Sequence, residues 1–118
     1  MNSLLEKVGD FNDLLLQGRD LEAMENFYDD EVEVWENDCD AVRGKTQAIR
    51  IKKEFLSTIS ELLCAKPLKV TVGEGTTMVE WHLSYELQEG LKKDLTRVAV
   101  QEWKDGRIIR EKFYYQSK

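Results

Sequence analysis

The stretch LTRVAVQEWKDGRIIREKFYY, residues 95–115, decides the fold of this chain. It contains two strand-like runs of alternating residues, Leu95–Trp103 and Ile108–Tyr115, on either side of Asp105-Gly106. Asp-Gly between alternating runs predicts a tight β-hairpin, because the turn requires positive φ angles that Asp tolerates and Gly adopts freely. A further alternating run, Thr77–Leu87, precedes them, so this end of the chain predicts consecutive antiparallel strands.

Three helix-like segments come before these strands. The first begins with a capping box, in which Ser3 and Glu6 satisfy amide groups at the helix start. The second is short, and Asp20 is its predicted N-cap. The third has Thr46 as its predicted cap, carries apolar residues at helical spacing and is closed by Pro67.

Two more strands complete the predicted architecture. Charged residues alternate with valine in Glu31–Glu36, and a short strand, Leu68–Val72, follows the third helix. The predicted order is α-α-β-α-β-β-β-β, in a single domain spanning residues 1–118. Helices that precede a run of antiparallel strands predict an α+β fold, with the helices laid across one face of a curved sheet. Such a sheet encloses a pocket.

The composition limits the classes of partner. A net charge of −6 with scattered Lys and Arg argues against a nucleic-acid-binding surface, and no apolar run has the length of a membrane span. The start of the chain lacks the basic region and cleavage site of a signal peptide. Cys39 and Cys64 lack metal-ligand spacing, so we expect two free thiols in a reducing cytoplasm, with no metal or other cofactor.

The phase of a strand predicts which residues face the helices, since alternate side chains point to opposite sides of the sheet. In the run Thr77–Leu87 the apolar set is expected to face inward: Val79, Trp81, Leu83 and Tyr85. His82, the only histidine, then faces outward beside acidic neighbours. We interpret it as a solvated or interface residue rather than as a catalytic base.

The last two strands can be read in either phase. In Leu95–Trp103, the set containing Val98 and Val100 has the stronger β propensity, so propensity favours it as the core face. In the final strand, one alternate set joins Glu111 to three apolar or aromatic residues: Ile109, Phe113 and Tyr115. A glutamate in such a set needs a partner, since an unpaired buried charge is costly.

The first strand places Val32, Val34 and Glu36 on its inner side. Glu36 comes last, where the strand leaves the core. Two interpretations stay open for it. Either partial desolvation raises the pKa of this carboxyl toward the range of a general base, or the strand has frayed and Glu36 is a charge at the rim.

Two segments resemble the nuclear transport factor 2-like superfamily. The first is Phe27–Val34 (FYDDEVEV), followed by Gly44 opening a helix with Ala48-Ile49, and the second is the closing run Trp103–Ile108 (WKDGRI). Within the superfamily, the chain is most similar to the SnoaL-like polyketide-cyclase and ketosteroid-isomerase-like group. The resemblance implies a cone-shaped, curved mixed β-sheet whose concave face is closed by three helices around a ligand cavity. It also implies a homodimer through the outer face of the sheet.

The same resemblance resolves the ambiguous strand. It implies that Ala99, Gln101 and Trp103 face inward, against the propensity argument, and that Val98 and Val100 lie at a dimer interface.

Matching the ketosteroid-isomerase site residues gives a mixed result. The position of the general base corresponds to Glu36, which also carries a carboxylate. The positions of the two oxyanion-hole donors correspond to Phe11 and Ala99, whose side chains cannot donate a hydrogen bond. Stabilisation of developing negative charge is usually the largest catalytic contribution, so the usual isomerase reaction is not expected. The Asp-Arg-Asp arrangement of epoxide hydrolases is half present, since Arg97 can pair with Glu111 or Glu36.

The leading hypothesis is a cytoplasmic, homodimeric protein that binds a small apolar or amphipathic molecule, with weak acid-base activity at Glu36. The expected pocket residues are mostly apolar or aromatic: Phe11, Val34, Trp81, Leu83, Tyr85, Arg97, Ala99, Gln101, Trp103 and Phe113.

Two alternatives remain. One is an isomerase- or cyclase-type enzyme that uses Glu36 or Glu111 as general base and Tyr115 or Tyr85 as proton donor. The other is a protein-interaction module that uses residues of the outer sheet face, such as Trp35 and His82.

Overall fold

The computed structural model describes residues 3–116. Three helices and six strands follow one another: α1 (Leu4–Leu16), α2 (Asp20–Phe27), β1 (Tyr28–Glu36), β2 (Val42–Arg43), α3 (Lys45–Ser57), β3 (Ile59–Val72), β4 (Thr76–Leu87), β5 (Lys92–Lys104) and β6 (Arg107–Tyr115). None of these helices has the length and apolar character needed to cross a membrane.

The six strands form one mixed sheet in the order β2-β1-β6-β5-β4-β3. Strands β1 and β6 run parallel, and every other neighbouring pair is antiparallel. Helix α1 packs against α2, β3 and β4, and α3 packs against α2 and β1. The sheet is curved and unclosed, with the helices on one face, so the predicted α+β fold is confirmed.

Two local signals are confirmed at the ends of elements. The Ser3 hydroxyl accepts a hydrogen bond from the Glu6 amide, and the Glu6 carboxylate accepts one from the Ser3 amide. This pair of hydrogen bonds is the predicted capping box. The β5–β6 turn has positive φ angles of 54° at Asp105 and 77° at Gly106, as the Asp-Gly pair predicts.

The predicted caps of the other two helices are wrong by one or two positions. Asp20 and Thr46 lie inside the first turns of α2 and α3, where Arg19 and Gly44 occupy the N-cap positions. Gly44 has a φ of 91°, which suits glycine better than any side chain that could cap the helix.

The predicted extent of the third helix is also wrong. Helix α3 ends at Ser57, and the apolar residues after it belong to β3, which includes Pro67. A short apolar run fits either a helix or a strand, so the spacing alone could not decide. Pro67 is tolerated because β3 lies at the edge of the sheet formed by residues 3–116, where one side of the strand has no partner strand to receive an N–H.

The core lies between the helices and the inner face of the sheet. Among the described residues, its buried members come from all three helices and from four strands: Val8, Phe11, Ala23, Met24, Tyr28, Val32, Ala48, Val79, Trp81, Ala99, Trp103 and Ile108. Val79 and Trp81 are buried while Met78 is exposed, so the predicted phase of β4 is confirmed.

Strand β5 takes the phase implied by the family resemblance. Ala99 and Gln101 are both 1% exposed, so the inner face does not carry Val98 and Val100. Propensity misleads here because it reports how well a residue fits a pleated surface and does not say which side is covered.

Strand β6 contains a bulge that the sequence did not reveal. Trp103 pairs with Ile108 but Glu102 pairs with Arg110, so Ile109 is an extra residue on β6. The bulge lets Ile108 and Glu111 both face inward although they are three positions apart. Ile108 is therefore fully buried, in place of the Ile109 that simple alternation predicts.

Candidate functional site

A cavity of about 630 Å³ lies between the helices and the inner face of the sheet. This volume is typical of sites for small molecules. Nine of the predicted pocket residues line it: Phe11, Val34, Trp81, Leu83, Tyr85, Arg97, Ala99, Gln101 and Phe113. The three predicted catalytic residues, Glu36, Glu111 and Tyr115, line it too.

Trp103, the tenth predicted pocket residue, does not line the cavity. Its ring is buried in the core, edge-on to Phe27 at 6.1 Å between ring centroids. Its indole Nε1 donates to the Thr77 hydroxyl at 2.8 Å. Trp103 does face inward, but it sits further along β5 than Gln101, where Phe27 of α2 covers the sheet.

Glu111 is the buried carboxyl in the cavity wall, with 2% of its surface exposed. The Tyr28 hydroxyl donates to Oε1, and Gln101 Nε2 donates to Oε2 at 2.8 Å. Gln101 Oε1 accepts in turn from the Thr77 hydroxyl at 2.6 Å. The network continues to Trp103, so the orientation of the Gln101 amide is set by a donor on one side and an acceptor on the other.

Burial controls the protonation of this pair. Burial raises the pKa of Glu111 above its ordinary value, although hydrogen bonds from Tyr28 and Gln101 and the charges of Arg97 and Lys52 oppose the change. Burial also raises the pKa of Tyr28 well above its ordinary value, and the charge of Glu111 and the hydrogen bond to it add to this effect. Tyr28 therefore remains a hydrogen-bond donor, and Glu111 is the member of the pair that can exchange a proton.

Arg97 is the principal cation of the cavity wall. Its guanidinium carbon lies 4.1 Å from the centroid of the Phe113 ring, and Nη1 lies 3.9 Å from Glu36 Oε1. Of the two acidic partners left open by the sequence, Glu36 is the one that Arg97 approaches within salt-bridge distance. The Arg97 Nε is buried and has no acceptor among residues 3–116.

Lys52 of α3 adds a second cation. Its ammonium lies 3.6 Å from Asp20 Oδ2, and both residues line the cavity. Burial lowers the pKa of Lys52, and the positive charge of Arg97 lowers it further. The cavity thus combines an apolar wall with two cations and several carboxylates.

Glu36 lies at the rim of the cavity. Its side chain is 52% exposed at the end of β1, so the dry environment considered for a general base is not present. Two tyrosines share this region of the cavity. Burial raises the pKa values of Tyr85 and Tyr115, and the negative charge of Glu36 raises both further.

Sequence reasoning missed Tyr28 and Lys52 as site residues. Tyr28 belongs to the family motif, but strand phase does not single it out, because the register of β1 shifts between Tyr28 and Glu33 and Asp30, two residues on, is exposed. No signal exists for Lys52 either, because a lysine on a charged helix looks like an ordinary solvent-exposed residue.

Metal binding finds no support in the side-chain geometry. Within residues 3–116, no group of three or more His, Cys, Asp or Glu side chains is placed to hold a metal ion.

Comparisons with known proteins agree on the family. The sequence profile of the SnoaL-like domain matches residues 8–111. No curated protein matches the sequence.

Solved structures show the same fold at low sequence identity. An NTF2-like protein from Burkholderia thailandensis is 14% identical, with a TM-score of 0.86 over 98% of this chain and 92% of that one. A candidate SnoaL-like polyketide cyclase from Mesorhizobium loti is 22% identical, with a TM-score of 0.82 over 97% of this chain and 100% of that one. An LEH-like epoxide hydrolase from M. tuberculosis is 16% identical, with a TM-score of 0.76 over 93% and 80% of the two chains. The profile match spans most of the sequence and the fold agrees with it, so the chain belongs to the SnoaL-like domain family.

Proposed function

We propose that this protein binds a small amphipathic molecule in the cavity, with the apolar part of the ligand against the aromatic wall. The polar end of the ligand would reach the hydrogen-bonded pair of Glu111 and Tyr28. The observation that carries the proposal is the combination of a cavity of about 630 Å³ with one buried, hydrogen-bonded carboxyl in its wall. Mostly apolar pockets with a few placed polar groups are typical of small-molecule sites.

A second candidate function is proton transfer on the bound molecule. Glu111 supports it better than Glu36, because Glu111 is buried and its pKa is raised, whereas Glu36 is half exposed at the rim. The hydroxyl donor that is missing at Phe11 and Ala99 would come from Tyr85 or Tyr115 of the cavity wall, because Tyr28 already donates its one hydrogen to Glu111. The candidate cyclase and the epoxide hydrolase that share this fold support an isomerase- or cyclase-type reaction only as an analogy.

We also propose that the protein is a cytoplasmic homodimer. Both cysteines are free, as suits a reducing compartment. Trp35, Val98 and Val100 lie on the outer face of the sheet, which is not covered by any of the helices described in residues 3–116, and a second copy of the same face would bury them.

The binding proposal is tested by filling the cavity. Leu83 lines the cavity, whereas the next residue of β4, Ser84, points to the opposite face of the sheet. We expect Leu83→Trp to weaken binding of the amphipathic dye 8-anilinonaphthalene-1-sulfonate at least about tenfold, since a 1.4 kcal/mol loss already corresponds to that factor. Ser84→Trp is the matched control and should leave dye binding unchanged.

Dye fluorescence titration, with circular dichroism to verify folding, provides the measurement. Equal dye affinity in the two variants would mean that the dye, and by extension an amphipathic ligand, does not occupy this cavity.

A further inference from the structure

Three side chains with nucleophile, base and acid chemistry meet on the outer face of the sheet, away from the cavity. Cys64 Sγ lies 3.6 Å from His82 Nδ1, and His82 Nε2 lies 2.7 Å from Asp94 Oδ1. The three residues come from the neighbouring strands β3, β4 and β5. Diagonal neighbours across adjacent strands are close enough for such contacts.

A bulge in β3 brings Cys64 to this face. Leu62 pairs with Tyr85 and Cys64 pairs with Ser84, so Leu63 is an extra residue between them. Tyr85 lines the cavity and Ser84 points away from it, so the bulge reverses the side to which Cys64 would otherwise point. The contact between Cys64 and His82 therefore depends on one inserted residue.

The two ring nitrogens of His82 have complementary partners. When Nε2 carries a hydrogen, it donates to Asp94, and Nδ1 is then free to accept the thiol proton of Cys64. The carboxylate both orients the ring and stabilises the imidazolium that forms. A base in contact with a thiol, itself oriented by a third group, is the arrangement that activates a cysteine nucleophile.

Within one protomer the site is accessible, with Cys64 half-buried, and the dimer contact proposed above centres on Val98 and Val100, further along β5 than Asp94. The side chains of His82 and Asp94 are 37% and 72% exposed, and the helices cover the opposite face. Strand register places both acidic and basic residues on the outer face around Cys64 and His82: Glu61, Lys66, Lys69, Glu80, Glu86 and Lys92. With Asp94, four carboxylates stand against three ammonium groups there, a small excess that favours a neutral or cationic reagent over an anionic one.

We propose that Cys64, His82 and Asp94 form a nucleophilic thiol site that exchanges with small, cationic disulfides. In this step His82 Nδ1 takes the thiol proton and the thiolate attacks one sulfur of the disulfide. A new S–S bond forms at Cys64 while the S–S bond of the reagent breaks. The departing thiolate takes the proton from the imidazolium, so one thiol is consumed and one is released.

The chain contains an internal control for this proposal. Cys39 is more exposed than Cys64 and none of its side-chain contacts involves the histidine. The variants Cys39→Ser and Cys64→Ser leave one thiol each. We expect the Cys64 thiol to react with cystamine at least about tenfold faster than the Cys39 thiol at pH 7, as judged by intact mass over time. Exposure alone would give the reverse order.

Two further variants, both in the Cys39→Ser background, separate activation from simple access. His82→Gln keeps a polar side chain but removes the base, and Asp94→Asn removes the carboxylate at an exposed position. We expect both to slow the exchange, His82→Gln by about tenfold or more.

Either of two results would overturn the proposal: a Cys64 thiol that reacts no faster than the Cys39 thiol, or no effect of His82→Gln and Asp94→Asn in folded protein.

Discussion

At the scale of single residues, the two glutamates of the cavity wall, Glu36 and Glu111, share a carboxyl group but differ in burial and in hydrogen-bond partners. Glu111 is enclosed, accepts two hydrogen bonds and has a raised pKa, whereas Glu36 is half exposed beside Arg97. A family match pointed to Glu36 because it compares positions along the chain. Burial and partners depend on what packs around a position, and they favour Glu111.

The raised pKa of Glu111 predicts a pH-dependent stability. The folded protein holds this proton more tightly than the unfolded chain, so the contribution of Glu111 to stability is greatest below its ordinary pKa of 4.5. The contribution falls as the pH rises from that value through the higher pKa of the folded state. We expect Glu111→Gln to flatten this fall in the free energy of unfolding, measured by urea titration from about pH 4 to 8.

Two other variants sharpen this measurement. Tyr28→Phe removes a hydrogen bond that lowers the pKa of Glu111, so it should make the fall with pH larger. Glu36→Gln leaves the hydrogen bonds of Glu111 in place. It should therefore show the same decrease in the free energy of unfolding with rising pH as the parent protein. If Glu111→Gln retained the parent's pH dependence, the assignment of that dependence to Glu111 would be wrong.

At the scale of elements, β3 and β4 show that strand pairing can decide whether an apolar segment forms a helix or a strand. The apolar residues after Ser57 fit a helix by spacing, yet they form a strand because β4 offers a long, alternating partner. Strand β3 has register shifts at Ser60, Leu63 and Leu68, and β6 has one at Ile109. The shift at Leu63 turns Cys64 away from the cavity, and the one at Ile109 lets Ile108 and Glu111 both face inward. Bulges leave little trace in a sequence, because one inserted residue only shifts the phase of alternation.

The phase of β4 can be tested by two neighbouring substitutions. Trp81 is 4% exposed on the inner face, so Trp81→Ala should lower the free energy of unfolding by about 3–5 kcal/mol, as large-to-small core changes do. His82→Ala, on the outer face, should cost far less. Denaturant titration of both variants gives the comparison, and equal losses would contradict the assigned faces.

At the scale of the whole molecule, the sheet has one face closed by helices and one face open. The closed face holds the core and the cavity, while the open face carries Trp35, with the Lys112 ammonium 5.2 Å from its ring centroid, and the valines of β5. Apolar side chains grouped on an open face are typical of a protein interface.

The proposed dimer predicts a concentration-dependent mass. Sedimentation equilibrium at micromolar concentration should give a dimer for the parent protein. Val98→Asp puts a charge into the proposed interface and should shift the equilibrium to monomer, whereas Thr96→Asp, an exposed position on the same face, should do so much less. A parent protein that is monomeric at this concentration would contradict the proposed dimer.

The sequence by itself determined what depends on near neighbours along the chain. The capping box at Ser3, the Asp105-Gly106 turn and the two faces of β4 follow from local hydrogen bonding, backbone preference and alternation, and all three are confirmed. With the order of elements, they were enough to predict the α+β fold, whereas the inward phase of β5 in the predicted pocket came from the family resemblance.

Only the tertiary structure decided which distant groups meet. Tyr28 contacts Glu111 because β1 pairs in parallel with β6, although 83 positions separate the two residues. Cys64 contacts His82 because a bulge turns one residue of an edge strand outward. Such contacts depend on strand register and packing, which are set by the sheet as a whole, so no local pattern in the chain could reveal them.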